Sequence, residues 1–144
     1  MILIISDYHK KEEKVLSLIS KHKPDLVLCL GDGESKDEFY LDNNIISVKG
    51  NCDFANLPLV KVLDYNNKRF LMVHDHLHSV YFDVFKLYML ALEHNADYVL
   101  YGHTHIQVVK EYEGVTFVNP GALKDGNYIL LNKKNTLRYL IYIV

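Results

Sequence analysis

The stretch that decides the fold is Met1-Ile-Leu-Ile-Ile-Ser-Asp-Tyr-His9 at the start of the chain. Its first five residues form a continuous apolar run, which is typical of a short β-strand buried on both faces. A second run, Leu26 to Leu30, has the same character, and between the two runs residues 10–21 carry apolar side chains at helical spacing. The order strand, helix, strand indicates an α/β fold.

The remainder of the chain continues this alternation and then changes to hairpins. We expect a third strand over residues 44–48, a longer helix over 80–95 and another strand over 98–101. Hairpins are predicted where two apolar runs flank a turn, over residues 59–73, 106–118 and 128–143. Alternating elements followed by hairpins predict two β-sheets whose outer faces are covered by helices.

Length and charge limit the classes of function. The chain has 144 residues, with 16 Lys+Arg and 18 Asp+Glu, so its formal net charge is −2. This length predicts one domain over residues 1–144, and this charge makes long nucleic acid an unexpected partner. The chain has no apolar stretch near the roughly 20 residues that span a bilayer, and its start does not resemble a signal peptide. We therefore expect a cytoplasmic protein, free of the membrane, whose Cys29 and Cys52 are reduced thiols.

Histidine stands out in the composition, because the chain has eight and most of them directly follow a predicted strand. Five loops at the carboxyl ends of predicted strands begin with Asp, Asn or His, and α/β sheets bind ligands at this edge. The candidate ligands in these loops are Asp7, His9, Asp32, Asn51, His74, His103 and His105. The Asp-x-His and His-x-His spacings place two side chains on the same side of an extended segment, because side chains alternate along a strand.

These seven side chains offer oxygen and imidazole donors without sulfur, a mixture that suits divalent ions such as Mn, Fe, Ni or Zn. Seven donors exceed the needs of one ion, so two ions that share a carboxylate, about 3.5–4 Å apart, explain the set best. Each motif alone is also compatible with a structural turn, and residues 74–78 with the N-terminus of a helix. The occurrence of all five motifs at one predicted edge favours a metal site.

A family resemblance rests on five ordered motifs, Asp7-x-His9, Gly31-Asp32, Gly50-Asn51-Cys52-Asp53, His74-x-His76 and Gly102-His103-Thr104-His105. Together they resemble the calcineurin-like metallophosphoesterase superfamily, and the Gly-Asn-Cys-Asp form with the later Asn119-Pro120-Gly121 is similar to its small YfcE-type phosphodiesterases. The resemblance spans roughly residues 1–126. It implies the metallophosphatase fold, an α/β four-layer sandwich of two mostly mixed β-sheets flanked by helices. It also implies two divalent metal ions, with manganese favoured and Ni, Fe or Zn as alternatives.

The same resemblance implies a role for each motif residue. One ion would be held by Asp7, His9 and His105, the other by Asn51, His74 and His103, and Asp32 would bridge the two. The implied reaction is hydrolysis of a small or nucleotide-like phosphodiester by in-line attack of a metal-bridging hydroxide. The candidate catalytic residues are Asp32, Asn51, Cys52 and His76, with His76 beside the metal site.

Three residues depart from the usual pattern of the superfamily. Cys52 stands where many members carry a histidine that assists the leaving group, and a neutral thiol with a pKa near 8.5 implies modest activity. Asp75 stands in place of a common glycine, and its charge would repel a phosphate. Tyr8 lies between two predicted ligands, where we expect it to narrow the pocket or to stack on a base.

Two other functions remain open from the sequence. The first is a non-catalytic interaction scaffold on the same fold, like the retromer subunit that resembles this family; such scaffolds normally have damaged ligands, whereas all seven are present here. The second is cleavage of a phosphomonoester or a pyrophosphate. We also expect self-association to a homo-oligomer, because the tyrosine-rich helix and the apolar C-terminal strand are candidates for exposed patches.

Overall fold

The computed structural model describes residues 1–75 and 84–132, and the backbone of residues 138–143. The helices within these ranges are α1 (Glu12–His22), α2 (Asp37–Asp42) and α3 (Val84–Glu93), with a short 3₁₀ helix at Leu123–Asp125. The strands are β1 (Ile2–Ile5), β2 (Leu26–Cys29), β3 (Ile45–Ser47), β4 (Val60–Tyr65), β5 (Lys68–Val73), β6 (Tyr98–Leu100), β7 (Val108–Tyr112), β8 (Val115–Asn119), β9 (Asn127–Asn132) and β10 (Arg138–Ile143).

The strands form two five-stranded sheets. The first sheet has the order β10-β9-β1-β2-β3 and the second has the order β4-β5-β6-β8-β7. In the first sheet β1, β2 and β3 are parallel and β9 pairs antiparallel with β1. In the second sheet β5, β6 and β8 are parallel, with β4 and β7 antiparallel at the edges. Both sheets are therefore mixed, and in each of them the parallel strands end at a common edge.

The two sheets pack face to face, and β1 shows why its sequence is apolar throughout. Ile2 and Ile4 point into the core between the sheets, where they lie with side chains such as Phe70 and Leu100. The alternate residues of β1 point to the opposite face and pack with Val15 of α1. A strand covered on both faces needs no polar side chain, and this accounts for the continuous run that the sequence analysis identified.

The second sheet is covered on its outer face by α3. Leu87 and Ala91 of this helix pack against Leu71, Val99 and Phe117 of the sheet. Helix, sheet, sheet and helix thus form four layers, which confirms the predicted α/β sandwich. The predicted helix over residues 80–95 is found with its described part at Val84–Glu93.

One helix was not predicted. Helix α2 has six residues, and only Tyr40 among them is buried, so it has no apolar periodicity to detect in the sequence. It lies between the end of β2 and the start of β3, and Tyr40 anchors it in the core shared with α1. In the described part of the chain, no helix is long and apolar enough to cross a membrane.

Helix α3 exposes apolar side chains on its outer side. Phe85 is 58% exposed and Leu92 is 48% exposed. Phe85 also lines a groove of about 410 Å³ between the helix and edge strand β7, together with Tyr112 and Phe117. This is the patch that the sequence analysis expected on the helix, whereas the side chains of the C-terminal strand lie outside the described part of the structure.

Candidate metal centre

The loops that follow β1 and β2 run side by side beyond the ends of their strands. The backbone N–H of Asp7 donates to the carbonyl of Gly31 at 2.9 Å, and that of His9 donates to the carbonyl of Asp32 at 3.0 Å. The parallel pairing of the strands therefore continues into the loops. This pairing holds the predicted ligands of both loops at one edge of the first sheet.

The loops that follow β5 and β6 bring their ligands to the same place from the second sheet. The N–H of Gly102 donates to the carbonyl of His74 at 3.3 Å, so these two loops are also neighbours. The N–H of His103 then donates across to Oδ2 of Asp7 at 3.2 Å. A Cβ on Gly102 would overlap Oγ of Ser6, so only glycine permits the two sheets to approach this closely here.

The backbone at most of these ligands is left-handed, which corrects one step of the sequence analysis. Asp7 has φ 53°, His9 has φ 40°, His103 has φ 67° and His105 has φ 61°. The segments Asp7 to His9 and His103 to His105 are therefore not extended, and the alternation of side chains along a strand does not explain why their side chains converge. They converge because hydrogen bonds between the loops hold a conformation that is uncommon for residues other than glycine, and such conformations cluster at functional sites.

The first donor group consists of Asp7, His9 and His105, which offer three ligand atoms within 4.8 Å of one another. Oδ1 of Asp7 lies 3.0 Å from Nε2 of His105 and 3.8 Å from Nε2 of His9. The Asp7 side chain is fully buried. Its other oxygen accepts a hydrogen bond from the Ser6 hydroxyl at 2.5 Å, which fixes the orientation of the carboxylate.

The second donor group consists of Asp32, His74 and His103, again with ligand atoms within 4.8 Å of one another. Nε2 of His74 lies 3.1 Å from Oδ2 of Asp32 and 3.3 Å from Nδ1 of His103. Oδ1 of Asn51 lies 3.0 Å from the same His74 nitrogen. The structure thus brings together all seven ligands that the sequence analysis named, in two adjacent groups.

The electrostatics of the second group favour a positive charge among its donors. Burial alone lowers the pKa of His74, but its hydrogen bond to Asp32 and the charges of Asp7 and Asp32 outweigh burial, so the pKa is raised. Burial raises the pKa of Asp32, yet hydrogen bonds from His74 and the Cys52 N–H outweigh it, so that pKa is lowered. Within the described ranges, the buried carboxylates of Asp7 and Asp32 each form ion pairs with histidines and with no lysine or arginine.

The donor chemistry fits a divalent cation. Nδ1 of His74 donates to the carbonyl of Leu30 at 2.7 Å, so in the neutral ring Nε2 carries a lone pair. That lone pair faces oxygen atoms of Asp32 and Asn51, which repel it unless a proton or a cation lies between them. Nε2 of His9 is a buried nitrogen without a hydrogen-bond partner among the described residues. Both nitrogens are therefore placed as metal ligands are, and each ring has the hydrogen-bonded Nδ1 typical of a metal-binding histidine.

Two supporting residues were missed by the sequence analysis. The buried carboxylate of Asp53 accepts hydrogen bonds from the backbone N–H groups of Asp32 at 2.9 Å, Gly50 at 2.7 Å and Glu34 at 2.8 Å. Asp53 thus joins the loops after β2 and β3. The carboxylate of Glu34 in turn accepts from Nδ1 of His9 at 3.0 Å. The sequence analysis quoted Asp53 within a motif and did not mention Glu34, which follows Gly31-Asp32-Gly33, and it assigned a role to neither.

The loop between His103 and His105 is held by the segment Asn119-Pro120-Gly121. The Asn119 amide donates to the carbonyl of Gly102 at 3.1 Å and to the hydroxyl of Thr104 at 2.9 Å. That hydroxyl also accepts from the N–H of Ile106 at 3.2 Å. Thr104 thus supports the loop between the two histidines.

Cys52 lies at the edge of the centre, next to both donor groups. Its sulfur, with ligand atoms of His9 and Asp32, forms a third cluster within 4.8 Å. Burial and then the charges of Asp32 and Glu34 raise the pKa of this thiol, so it is neutral at pH 7. The other cysteine, Cys29, is buried in the core beneath α1, and burial raises its pKa to about 12.

Tyr8 and His76 were both expected at the site. Tyr8 was expected to line the pocket, but its side chain is fully buried and its hydroxyl lies 2.6 Å from Oγ of Ser35. The left-handed backbone on either side of Tyr8 turns it into the core, so this prediction was wrong. His76, a candidate catalytic residue, lies outside the described residues.

Comparison with known proteins gives consistent likenesses. Residues 1–136 match the family model of the calcineurin-like phosphoesterase superfamily domain. The probable metallophosphoesterase YsnB of Bacillus subtilis (strain 168) is 32% identical over 126 residues, which cover 85% of this chain and 75% of that protein. A conserved protein of Streptococcus pneumoniae TIGR4, described as a predicted phosphoesterase, superposes with a TM-score of 0.81 at 24% identity, over 98% of this chain and 97% of that one. Vps29 of Entamoeba histolytica in complex with Zn²⁺ gives 0.77 at 21% identity, over 98% and 97%.

Proposed function

We propose that this chain, which belongs to the calcineurin-like phosphoesterase superfamily, is a phosphodiesterase that depends on two divalent cations. The observation that carries the proposal is the pair of adjacent donor groups, each with three ligand atoms within 4.8 Å. Each group contains a buried carboxylate and two imidazoles, which is the donor set of a metal-dependent hydrolase.

One cation would be held by Asp7, His9 and His105, and the other by Asn51, His74 and His103. Asp32 would contribute to both, since its Oδ2 lies beside His74 and its carboxylate also clusters with His9. When bound, the two cations supply Lewis-acid catalysis, by activating a water molecule and by neutralising charge on the phosphate.

The side chains of the chain orient and shield this centre. The carbonyl of Leu30 fixes the His74 ring, and the Ser6 hydroxyl and the His103 N–H fix the Asp7 carboxylate. Asp7 and Asp32 are buried, so little bulk water surrounds their carboxylates. The lower local dielectric strengthens their interaction with any cation. Neutral Cys52, which lies next to both donor groups, is proposed to face the leaving group. His76 is kept as a second proposed catalytic residue.

The proposed substrate is a small or nucleotide-like phosphodiester. The net charge of −2 provides no field to attract a long polyanion, so substrate affinity must come from the centre itself. Manganese is the proposed native cation, since oxygen and imidazole donors without thiolate suit it. A cytoplasmic location and a single domain remain predictions from the sequence.

A non-catalytic scaffold is the second candidate function. The observation that favours it is the apolar groove between α3 and β7, where Phe85 and Tyr112 offer a surface suited to a protein partner. The similarity to Vps29, a protein named for vacuolar protein sorting, is compatible with this function. The complete set of seven ligands, which a scaffold does not require, favours the enzyme.

A metal-supplemented substrate screen tests the proposal. Purified protein, stripped with a chelator, is loaded with Mn²⁺, Ni²⁺, Fe²⁺ or Zn²⁺ and assayed on an activated phosphodiester, a phosphomonoester and a pyrophosphate. We expect two bound cations per chain and the highest rate on the diester. A higher rate on the monoester or on the pyrophosphate would show that the protein is a phosphomonoesterase or a pyrophosphohydrolase and not a phosphodiesterase. Absence of hydrolysis with any metal would favour the scaffold.

We predict that Cys52→His is tolerated and raises the rate on the diester. The thiol is neutral because its pKa is raised. An imidazole at this position can donate a proton to the leaving oxygen, and we expect this to raise the rate by roughly 10²-fold, the lower end of the usual contribution of general-acid catalysis. The measurement is kcat on diesters whose leaving groups differ in basicity, since help from an acid matters most for the poorest leaving group. Cys52→Ser is the matched control, and it should keep the wild-type rate. A large loss in Cys52→His would contradict the prediction.

A further inference from the structure

We propose that Glu34 is a positioning residue that fixes His9 as an Nε2 ligand of the first donor group. The inference rests on the proposed function, because it concerns the same centre. Glu34 lies outside the five motifs, directly after Gly31-Asp32-Gly33. Its proposed role explains why an acidic side chain occurs at this position.

The contact between the two side chains defines the state of the imidazole. Oε2 of Glu34 lies 3.0 Å from Nδ1 of His9. A carboxylate can only accept a hydrogen bond, so Nδ1 of His9 is the donor and carries the proton. In the neutral ring Nε2 is then left with its lone pair, which is the form that binds a metal.

The freed nitrogen points into the centre. Nε2 of His9 is buried and has no hydrogen-bond partner among the residues that the structure describes. It lies 3.8 Å from Oδ1 of Asp7, and a ligand atom of His9 belongs to the cluster with Asp32 and Cys52 as well. A buried lone pair that faces a carboxylate oxygen is unfavourable without a cation, so the nitrogen that Glu34 leaves unprotonated is the atom that a cation would use.

Glu34 is itself held in an uncommon conformation. Its φ is 59°, in the left-handed region that glutamate rarely adopts. The Glu34 N–H donates to Oδ1 of Asp53 at 2.8 Å, while the other oxygen of Asp53 accepts from the N–H of Asp32 and the N–H of Gly50. This one carboxylate therefore places Glu34 relative to the bridging residue Asp32, and a local backbone strain is retained where it orients a side chain.

The groups that accept the Nδ1 protons of His74 and His9 differ in charge. The Nδ1 proton of His74 is accepted by a neutral carbonyl, that of Leu30, whereas the Nδ1 proton of His9 is accepted by a charged carboxylate. Removal of a partner that orients a ligating imidazole typically weakens metal affinity about 10–100-fold. Loss of the Glu34 carboxylate should therefore weaken the binding of a cation at His9.

The test compares Glu34→Ala, the nearly isosteric Glu34→Gln and the control Glu38→Gln. Glu38 lies on α2 and is exposed, so the control removes the same charge without touching His9. Calorimetric titration of Mn²⁺ and Zn²⁺ into each protein measures both affinities. We expect Glu34→Ala to weaken one of the two sites about 10–100-fold, Glu34→Gln to weaken it less, and Glu38→Gln to leave both unchanged.

Long-range ¹H–¹⁵N spectra of the histidine rings give a readout that a merely structural role would not move. In the metal-free wild type we expect His9 to carry its proton on Nδ1, and in Glu34→Ala we expect this preference to be lost. Wild-type affinity at both sites in Glu34→Ala, or a wild-type His9 proton on Nε2, would overturn the inference. Failure of the wild type to bind any divalent cation would instead overturn the proposed function, and the spectra of the metal-free protein would still decide the role of Glu34.

Discussion

Replacement of Asp32 by asparagine is expected to reduce phosphodiester hydrolysis by at least about 10²–10³-fold, the loss seen when one preorganised electrostatic group is removed from an active site. Asparagine has the shape of aspartate, and its carbonyl oxygen can still accept the hydrogen bond that the Cys52 N–H donates to Oδ1 at 2.8 Å. Its amide group can donate to Nε2 of His74, which now lies 3.1 Å from Oδ2. The local structure therefore survives. The negative charge is lost, however, and a donor replaces the oxygen that would bridge two cations.

The measurement for Asp32→Asn is kcat/KM on the diester, together with the number of cations bound per chain. Asp42→Asn is the matched control, because Asp42 is exposed at the end of α2 and the substitution removes the same charge. We expect the control to retain the wild-type rate and stoichiometry. An Asp32→Asn protein that keeps most of its activity would refute the bridging role.

Replacement of Gly50 by alanine is expected to be nearly as damaging, for a steric reason. A Cβ at this position would overlap Oδ1 of Asp32 and would lie 2.5 Å from the Asp32 backbone nitrogen. The loop after β2 would have to move away, and misplacement by about 1 Å can cost roughly 10²-fold in rate. Forced repacking of a buried site costs typically 1–3 kcal/mol, so we also expect the free energy of unfolding to fall by about that amount.

Gly114→Ala is the control for this experiment. Gly114 lies in the turn between β7 and β8, where nothing lies within 4 Å of an added Cβ, although its φ of 79° is unfavourable for alanine. We expect a modest loss of stability there with no loss of activity or cation binding. Denaturant unfolding and diester hydrolysis, measured on both variants, separate the two effects. Equal activity in the two variants would show that the space at Gly50 is not critical.

The fold was predicted well wherever burial imposed a pattern on the sequence. Strands β1 and β2 are covered on both faces and therefore read as unbroken apolar runs, and α1 carries apolar residues on one side. Helix α2 was missed because its single buried residue, Tyr40, leaves no period to detect. Short elements that rest on one anchor are fixed by tertiary contacts, which a local pattern does not contain.

The candidate site was predicted in composition but not in geometry. Candidate ligands follow from residue type and position after a strand, so the seven side chains that the structure brings together could be named. The direction of each side chain depends on backbone angles, and Asp7 and His9 have left-handed conformations. As a result Tyr8 lies in the core and not in the pocket, and the alternation of side chains expected for an extended strand does not apply. Asp53 and Glu34 escaped notice because their roles consist of hydrogen bonds between loops that are distant in sequence.

The division of each donor group between the two sheets has a mechanical consequence. In the first group, Asp7 follows a strand of one sheet and His105 follows a strand of the other, 98 residues later in the chain. A cation held by both would cross-link the two halves of the sandwich, much as a disulfide closes a long loop. Saturation at 100 times the dissociation constant would add about 2.7 kcal/mol to the stability of the folded state. The ion that serves the chemistry would then also hold the two sheets together at one end, so that the free energy of unfolding would rise with the concentration of free metal.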